Sequence, residues 1–236
     1  MIKETQTFLN YYVKDILVND RNRNTTRGID GVQGVMTNAA IVQVLAKLEK
    51  KFKQENLKWN DKFNFIGIRT DNDLDNSFDD WFVITINGTL IAYPASTVSG
   101  IPGIAKYLNR TINNVSGVGT IKGNQQIDYL LVAGKNSGWA NWTGGLGFLF
   151  QDKGISVHRG AIKVNGNWEI NTNVLLHNQF GGFNVHSWIG YFLNTVNNLS
   201  EGCQVTKQNY WTHLFPILQK NTINNRIVYT LINNYD

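Results

Sequence analysis

The stretch Gly182–Val205, GFNVHSWIGYFLNTVNNLSEGCQV, holds the single cysteine of the chain, Cys203, and one of its four histidines, His186. One thiol makes no internal disulfide and is a poor start for a zinc site, but beside a base it is a nucleophile. A lone cysteine is more often a small buried hydrophobe, and a lone histidine an ordinary polar residue, so the flanks decide the reading. Gly202 permits close backbone approach next to the sulfur, where two successive N–H groups can face a developing oxyanion. Ser200 adds a small hydroxyl able to position a partner. His186 ends a strand-like run, Phe183–Asn184–Val185–His186, and lies 17 positions before Cys203. That is enough chain to leave a strand, cross a loop and return beside it.

Composition bounds what surrounds this stretch. A chain of 236 residues is one large domain or a small module plus a medium one. With 42% hydrophobic and 17% charged residues, seven Trp and twelve Phe, it builds a core and is not disordered. Three Pro among many Gly and Asn favour short strands joined by polar turns over a helical bundle. A single cysteine excludes a disulfide-stapled scaffold. The start, MIKETQTFLN, lacks the basic lead and apolar run of a signal peptide, and no stretch approaches 18 apolar residues. The expectation is synthesis in a cytoplasm, no membrane insertion, and access to any extracytoplasmic target by another route. The net charge of +5 suits anionic polymers, either cell wall or nucleic acid. Its even spread argues against nucleic acid, whose binding would fall steeply with salt. The run Lys47–Lys53 reads as the solvated face of a helix in preference to a docking patch.

Taken in order, Ile2, Phe8, Leu9, Tyr12, Val13 and Ile16 recur at helical spacing. After an Asn/Arg/Thr-rich loop, Gly28 to Gly34 predicts a tight turn, and Thr37 an N-cap for a helix running to about Gln54. Asn56–Lys62 is a polar bridge and the expected boundary, dividing a helical module at 1–56 from a main domain at 60–236. Beyond it come strands at Phe63–Arg69, Trp81–Ile86 and Thr89–Ala92, the last two joined by Asn87–Gly88, a strong hairpin signal. Asp71, Asp73, Asp75, Asp79 and Asp80 read as a solvated acidic loop, since the glycine and closing glutamate of a calcium loop are missing. Gly100–Gly123 reads as loop with a short helix at Ile104–Leu108. Further strands are expected at Tyr129–Ala133, Phe148–Phe150, Ile155–His158, Trp168–Ile170, Phe183–His186 and Arg226–Ile232, with a helix at Lys207–Gln219 that Pro216 kinks. Trp139 and Trp142 are either a sugar-stacking platform or core aromatics near a turn, with core the favoured use. A zinc triad of His158, His177 and His186 is disfavoured, because no HExxH or HxH pairing is present. Arg159, after a strand, can pair with a substrate carboxylate through its planar fork. Trp188 lies two residues past the candidate base.

Asn184–Val185–His186 and Ser200–Glu201–Gly202–Cys203–Gln204–Val205 resemble the catalytic motif of the L,D-transpeptidase (YkuD-like) family, and more closely its phage-encoded relatives, which read N-I-H … S-A-G-C-Q-V. Gly67–Ile68–Arg69 and Phe78–Asp79–Asp80 resemble a G-I-R … F-D-D passage near the start of those relatives. Ser187, Glu201 and Gln204 depart from the transpeptidase pattern, where Gly, His and a lead into Arg stand; nucleophile, base and glycine are kept. Ile2–Asn10 together with Asp30, Gly31, Gly34, Thr37, Ala40 and Ile41 is similar to the peptidoglycan-binding domain family, although a helical extension packed on the main domain remains the other reading. The resemblance implies a mainly β, sandwich-like catalytic domain with one or two helices behind a small all-α module. It implies a peptidoglycan hydrolase of phage endolysin type, with Cys203, His186, Gly202 and Ser200 catalytic and Arg159, Trp188 and Gln204 contacting substrate. No metal and no cofactor are implied; the partner is bacterial peptidoglycan, met by a monomer. Cross-link formation by transpeptidation and a non-enzymatic wall-binding virion protein are the alternatives.

Overall fold

The structure, a computed structural model, describes residues 1–19, 22–23, 25–74, 77–98, 111–112, 115–134, 145–188, 195–196, 200 and 202–234. The helical expectation at Ile104–Leu108, the aromatic pair Trp139 and Trp142, Asp75 and Glu201 fall outside these residues.

Two helices open the chain, α1 (Ile2–Tyr12) and α2 (Val35–Gln54). The strands β1 (Phe63–Arg69), β2 (Asp80–Ile86) and β3 (Thr89–Ser96) follow. Next come β4 (Thr111–Ile112), β5 (Val115–Ser116), β6 (Gly119–Ile121), β7 (Gln125–Ala133) and β8 (Gly147–Phe150). The chain continues through β9 (Ile155–Arg159), β10 (Ala161–Val164), β11 (Asn167–Ile170), β12 (Leu175–Gln179) and β13 (Val185–Trp188). It closes with β14 (Gln204–Lys207), a third described helix, α3 (Gln208–Lys220), and β15 (Arg226–Asn233).

The fold is mainly β. Eight strands close one sheet into a barrel in the order β1-β15-β7-β8-β13-β14-β3-β2, in place of the sandwich that the family resemblance implies. Two neighbours are parallel, β1 with β15 and β13 with β14. A three-stranded sheet, β12-β9-β6, stands beside the barrel. Closure leaves the barrel no free edge. The Asn87–Gly88 turn, with φ of 47° and 79°, has the two left-handed residues that a tight hairpin needs.

Strands β1, β2 and β3 are largely apolar on both faces because both are covered. Phe65, Phe82, Ile84, Tyr93, Tyr129 and Tyr229 form one cluster, to which α3 adds Trp211, Leu214, Phe215 and Leu218 at helical spacing. The intervening residues Ile66, Ile68, Trp81, Val83, Leu90 and Ala92 point the other way and pack with Phe8, Leu9, Tyr12, Ile41, Val44, Leu48 and Phe52 of the first two helices. The expected boundary at 56–60 is thus a connection over which an apolar core runs unbroken.

The motif residues of the first 41 have a structural task here. The Gln6 amide nitrogen donates to Asp30 Oδ1 (2.8 Å) and to Thr37 Oγ1 (3.2 Å), and its oxygen accepts from Gly31 N–H (2.8 Å). Helix α1 therefore locks the glycine turn and the start of α2 together. The helix cap differs from expectation: Gly34 is the N-cap, and Thr37 lies buried in the first turn. Asp80 also differs. It is the first residue of β2 and 2% exposed, not part of a solvated loop.

Candidate functional site

The parallel pairing of β13 with β14 sets Val185 against Gln204 and His186 against Val205. Val185 joins the interior cluster, so by strand alternation His186, Val205 and Cys203 face the other side of the wall. Cys203, immediately before β14, is thus one step diagonal from His186 across the parallel pair. Cys203 and Val205 form a small separate cluster with Val196, against which Phe78 packs. Asn184 holds the two strands in this register. Its carbonyl accepts from Gln204 N–H (2.8 Å), and its side-chain oxygen accepts from Gln151 N–H (2.9 Å).

His186 is 1% exposed. Its Nδ1 lies 2.7 Å from the Ser187 carbonyl oxygen, which can only accept, so the proton of the neutral ring sits on Nδ1 and the lone pair on Nε2. Burial pushes its pKa down from 6.5 to about 4, against the smaller opposing pull of the Ser187 carbonyl. The imidazole is therefore neutral near pH 7, with its Nε2 lone pair unprotonated. A preformed ion pair with the thiol is disfavoured in this setting. The group that orients the ring is a backbone carbonyl, not Ser200.

Ser200 acts on the cysteine loop instead. Its hydroxyl donates to the Cys203 carbonyl (2.6 Å) and accepts a longer bond from Gly202 N–H (3.3 Å). Of the N–H groups expected to face an oxyanion, that of Gly202 is thus turned toward Ser200. Gly202 has φ of +143°, and a Cβ there would stand 3.0 Å from the Phe183 ring and 3.1 Å from the Gly119 carbonyl, so this position admits glycine alone without strain. The Cys203 thiol donates to the Gly182 carbonyl at 3.2 Å, delivered by the Gly181–Gly182 turn with φ of +78° and +85°.

Arg159, the last residue of β9, is buried, with its guanidinium 5.6 Å from the Phe183 ring centre. A Cβ at Gly119 would lie 2.8 Å from an Arg159 nitrogen, and Gly119 also contacts Gly202. The structure thereby brings Arg159, Phe183 and the Gly202–Cys203 loop together, with the small three-stranded sheet as one wall. Gln204 does not join them. It is fully buried on the opposite face, its amide nitrogen donating to the Thr97 carbonyl (2.9 Å) and its oxygen accepting from Tyr229 OH (2.9 Å), so its role is in the framework and not in contact with substrate. Trp188 ends β13, and its side chain lies outside the described residues. His158 on β9 and the exposed His177 on β12 are not assembled with His186: among the described residues no group of three His, Cys, Asp or Glu could hold a metal ion.

Sequence reasoning missed three contributors. Tyr129 OH donates to the Phe183 carbonyl (2.6 Å) and fixes the turn into β13. Gly119 makes room for Arg159 and Phe183. The Ser187 carbonyl orients the imidazole, and a backbone group leaves no signature in a sequence. Comparison with family models, with curated proteins and with solved structures gives no match. None of the described helices is long and apolar enough to cross a membrane.

Proposed function

We propose that the protein is a cysteine peptidase of peptidoglycan, of phage endolysin type, cutting the stem peptide or cross-link through a thioester. The observation that carries this reading is the parallel pairing that sets His186 of β13 one step diagonal from Cys203, immediately before β14, with the imidazole held as the Nδ1–H tautomer. In the proposed reaction His186 Nε2 takes the thiol proton as Cys203 Sγ attacks a peptide carbonyl. The tetrahedral oxyanion is stabilised by backbone N–H groups of the Gly202–Cys203 loop, that of Gly202 exchanging its long bond to Ser200 for the substrate. Collapse breaks the C–N bond, the departing amine takes the proton from His186, and a thioester remains. Water then attacks, giving its proton to His186; the acid is released and the thiol regains its proton.

Arg159 is proposed to hold a substrate carboxylate beside the reacting carbonyl. Water is the proposed acceptor, and a second stem amine, which would form a cross-link, is the alternative. The helical lock around Gln6 supports a scaffold role for the first 56 residues as much as a glycan-binding one. The test is release of soluble fragments from purified peptidoglycan by wild type and Cys203→Ala, read by mass spectrometry. Fragments that vanish with the substitution carry the reading, and their masses name the bond. Equal sedimentation of both proteins with the wall, with no fragments from either, replaces it with a wall-binding protein.

A further inference from the structure

A second constellation lies behind the strand that bears the nucleophile. Arg69 and Asp80 are 1% and 2% exposed, and both converge on Thr97. Arg69 Nε donates to Thr97 Oγ1 (3.0 Å) and its Nη2 to the Thr97 carbonyl (3.0 Å). Asp80 accepts from Thr97 N–H (2.7 Å), Thr97 Oγ1 (2.7 Å) and Thr70 N–H (2.9 Å). The same Thr97 carbonyl accepts from the Gln204 amide, whose oxygen takes the Tyr229 hydroxyl. Gln204 is the residue bonded to Cys203.

The close fit at Gly67 belongs to this arrangement. A Cβ there would stand 1.7 Å from the Tyr229 hydroxyl oxygen, so only glycine leaves that hydroxyl in reach of Gln204. Gly67, Arg69 and Asp80 are three of the residues in the two motif segments near the start of the main domain, and this geometry gives them a common purpose. Burying two opposite charges is costly, and an apolar packing of similar volume would serve stability as well or better. What a satisfied polar network supplies is a single geometry. Here the geometry it specifies is that of the residue next to the sulfur.

Resting on the function proposed above, we propose that Arg69, Asp80, Thr97, Gln204 and Tyr229 form a positioning network that sets the Cys203 backbone, and with it the sulfur, against His186. None of the five touches the reacting atoms. Gln204 is the link through which the network acts, and Tyr229 and Thr97 hold its two ends.

The test compares the full-length wild type with Gln204→Met, which keeps the volume and loses both bonds, and Tyr229→Phe, which loses one. Thr85→Val is the control. It removes a buried bond of the same kind, Asn64 Nδ2 to Thr85 Oγ1 at 2.9 Å, at the other end of β2. Five residues from Asp80 at about 3.3 Å each, it stands roughly 17 Å away along the strand. Iodoacetamide alkylation of the only thiol is measured across pH, beside kcat and KM on wall fragments and the thermal unfolding of each protein. Gln204→Met is expected to slow alkylation and kcat about tenfold with KM within about twofold, and Tyr229→Phe to slow both about threefold. Thr85→Val is expected to lower the melting temperature and leave both rates within about twofold. Alkylation in folded Gln204→Met and Tyr229→Phe as fast as in wild type overturns the network, as does an equal slowing in Thr85→Val. The hydrolase reading fails separately: a wild type that releases no wall fragments, with alkylation still slowed by Gln204→Met, removes the substrate and keeps the network.

Discussion

Acidification should destabilise this protein through His186 well before its carboxylates are fully protonated. The ring titrates at 6.5 in the unfolded chain and at about 4 when buried in the fold. Between those values the unfolded state holds one more proton than the native state, so stability falls as pH falls, and the loss is complete below about 4. A depression of this size corresponds to roughly 3 kcal/mol over the whole window, and to about 2 kcal/mol at pH 5. The assay is urea unfolding of wild type and His186→Gln at pH 7 and pH 5. Other shifted groups, including His158, Asp128 and Asp152, contribute equally to both proteins and cancel in the double difference. Wild type should lose about 2 kcal/mol more than the variant on moving from pH 7 to pH 5. An identical loss in the two proteins would refute the buried, neutral imidazole on which the proposed chemistry depends. Should the variant not fold, the ring proton shifts of the four histidines in wild type give the same titration directly.

Three other outcomes follow from the geometry. The acid limb of kcat/KM against pH should fall near pH 4, since neutral His186 is the proposed base; a limb near 6.5 would mean a solvated imidazole. Ser200→Ala leaves the buried Cys203 carbonyl without its 2.6 Å donor and should cost about 1–3 kcal/mol in urea unfolding, with turnover lowered; unchanged stability would remove the clamp. Gln6→Ala breaks the lock between α1 and the glycine turn and should cost about 2 kcal/mol in thermal unfolding without altering alkylation of Cys203; a change in that alkylation would tie the helices to the site.

Local signals were legible in the sequence, and long-range ones were not. Strand β1 runs from Phe63 to Arg69 and α2 ends at Gln54, as their patterns predict, and the hairpin at Asn87–Gly88 falls where the dipeptide puts it. The return of the chain from His186 to Cys203 on adjacent strands follows from the spacing and the glycine. Barrel closure does not. It depends on the parallel meeting of β1 with β15, residues more than half the chain apart, and no local pattern records that partner. The acidic cluster around Asp80 reads as a solvated loop, whereas the environment of Asp80 is set by Arg69 and by Thr97, 17 residues on. Burial raises the Asp80 carboxyl pKa, while the Arg69 charge and the donated hydrogen bonds pull it down. The family resemblance implies a substrate contact for Gln204. Strand alternation sends its side chain to the opposite face, where Tyr229 and Thr97 receive it.

The most direct test of the central claim is the intact mass of the protein, acid-quenched during digestion of purified peptidoglycan. The account predicts a fraction carrying a stem-peptide acyl group as a thioester, mapped to Cys203 and absent from Cys203→Ala. Wall fragments released by both proteins, with no adduct on the thiol, would contradict it.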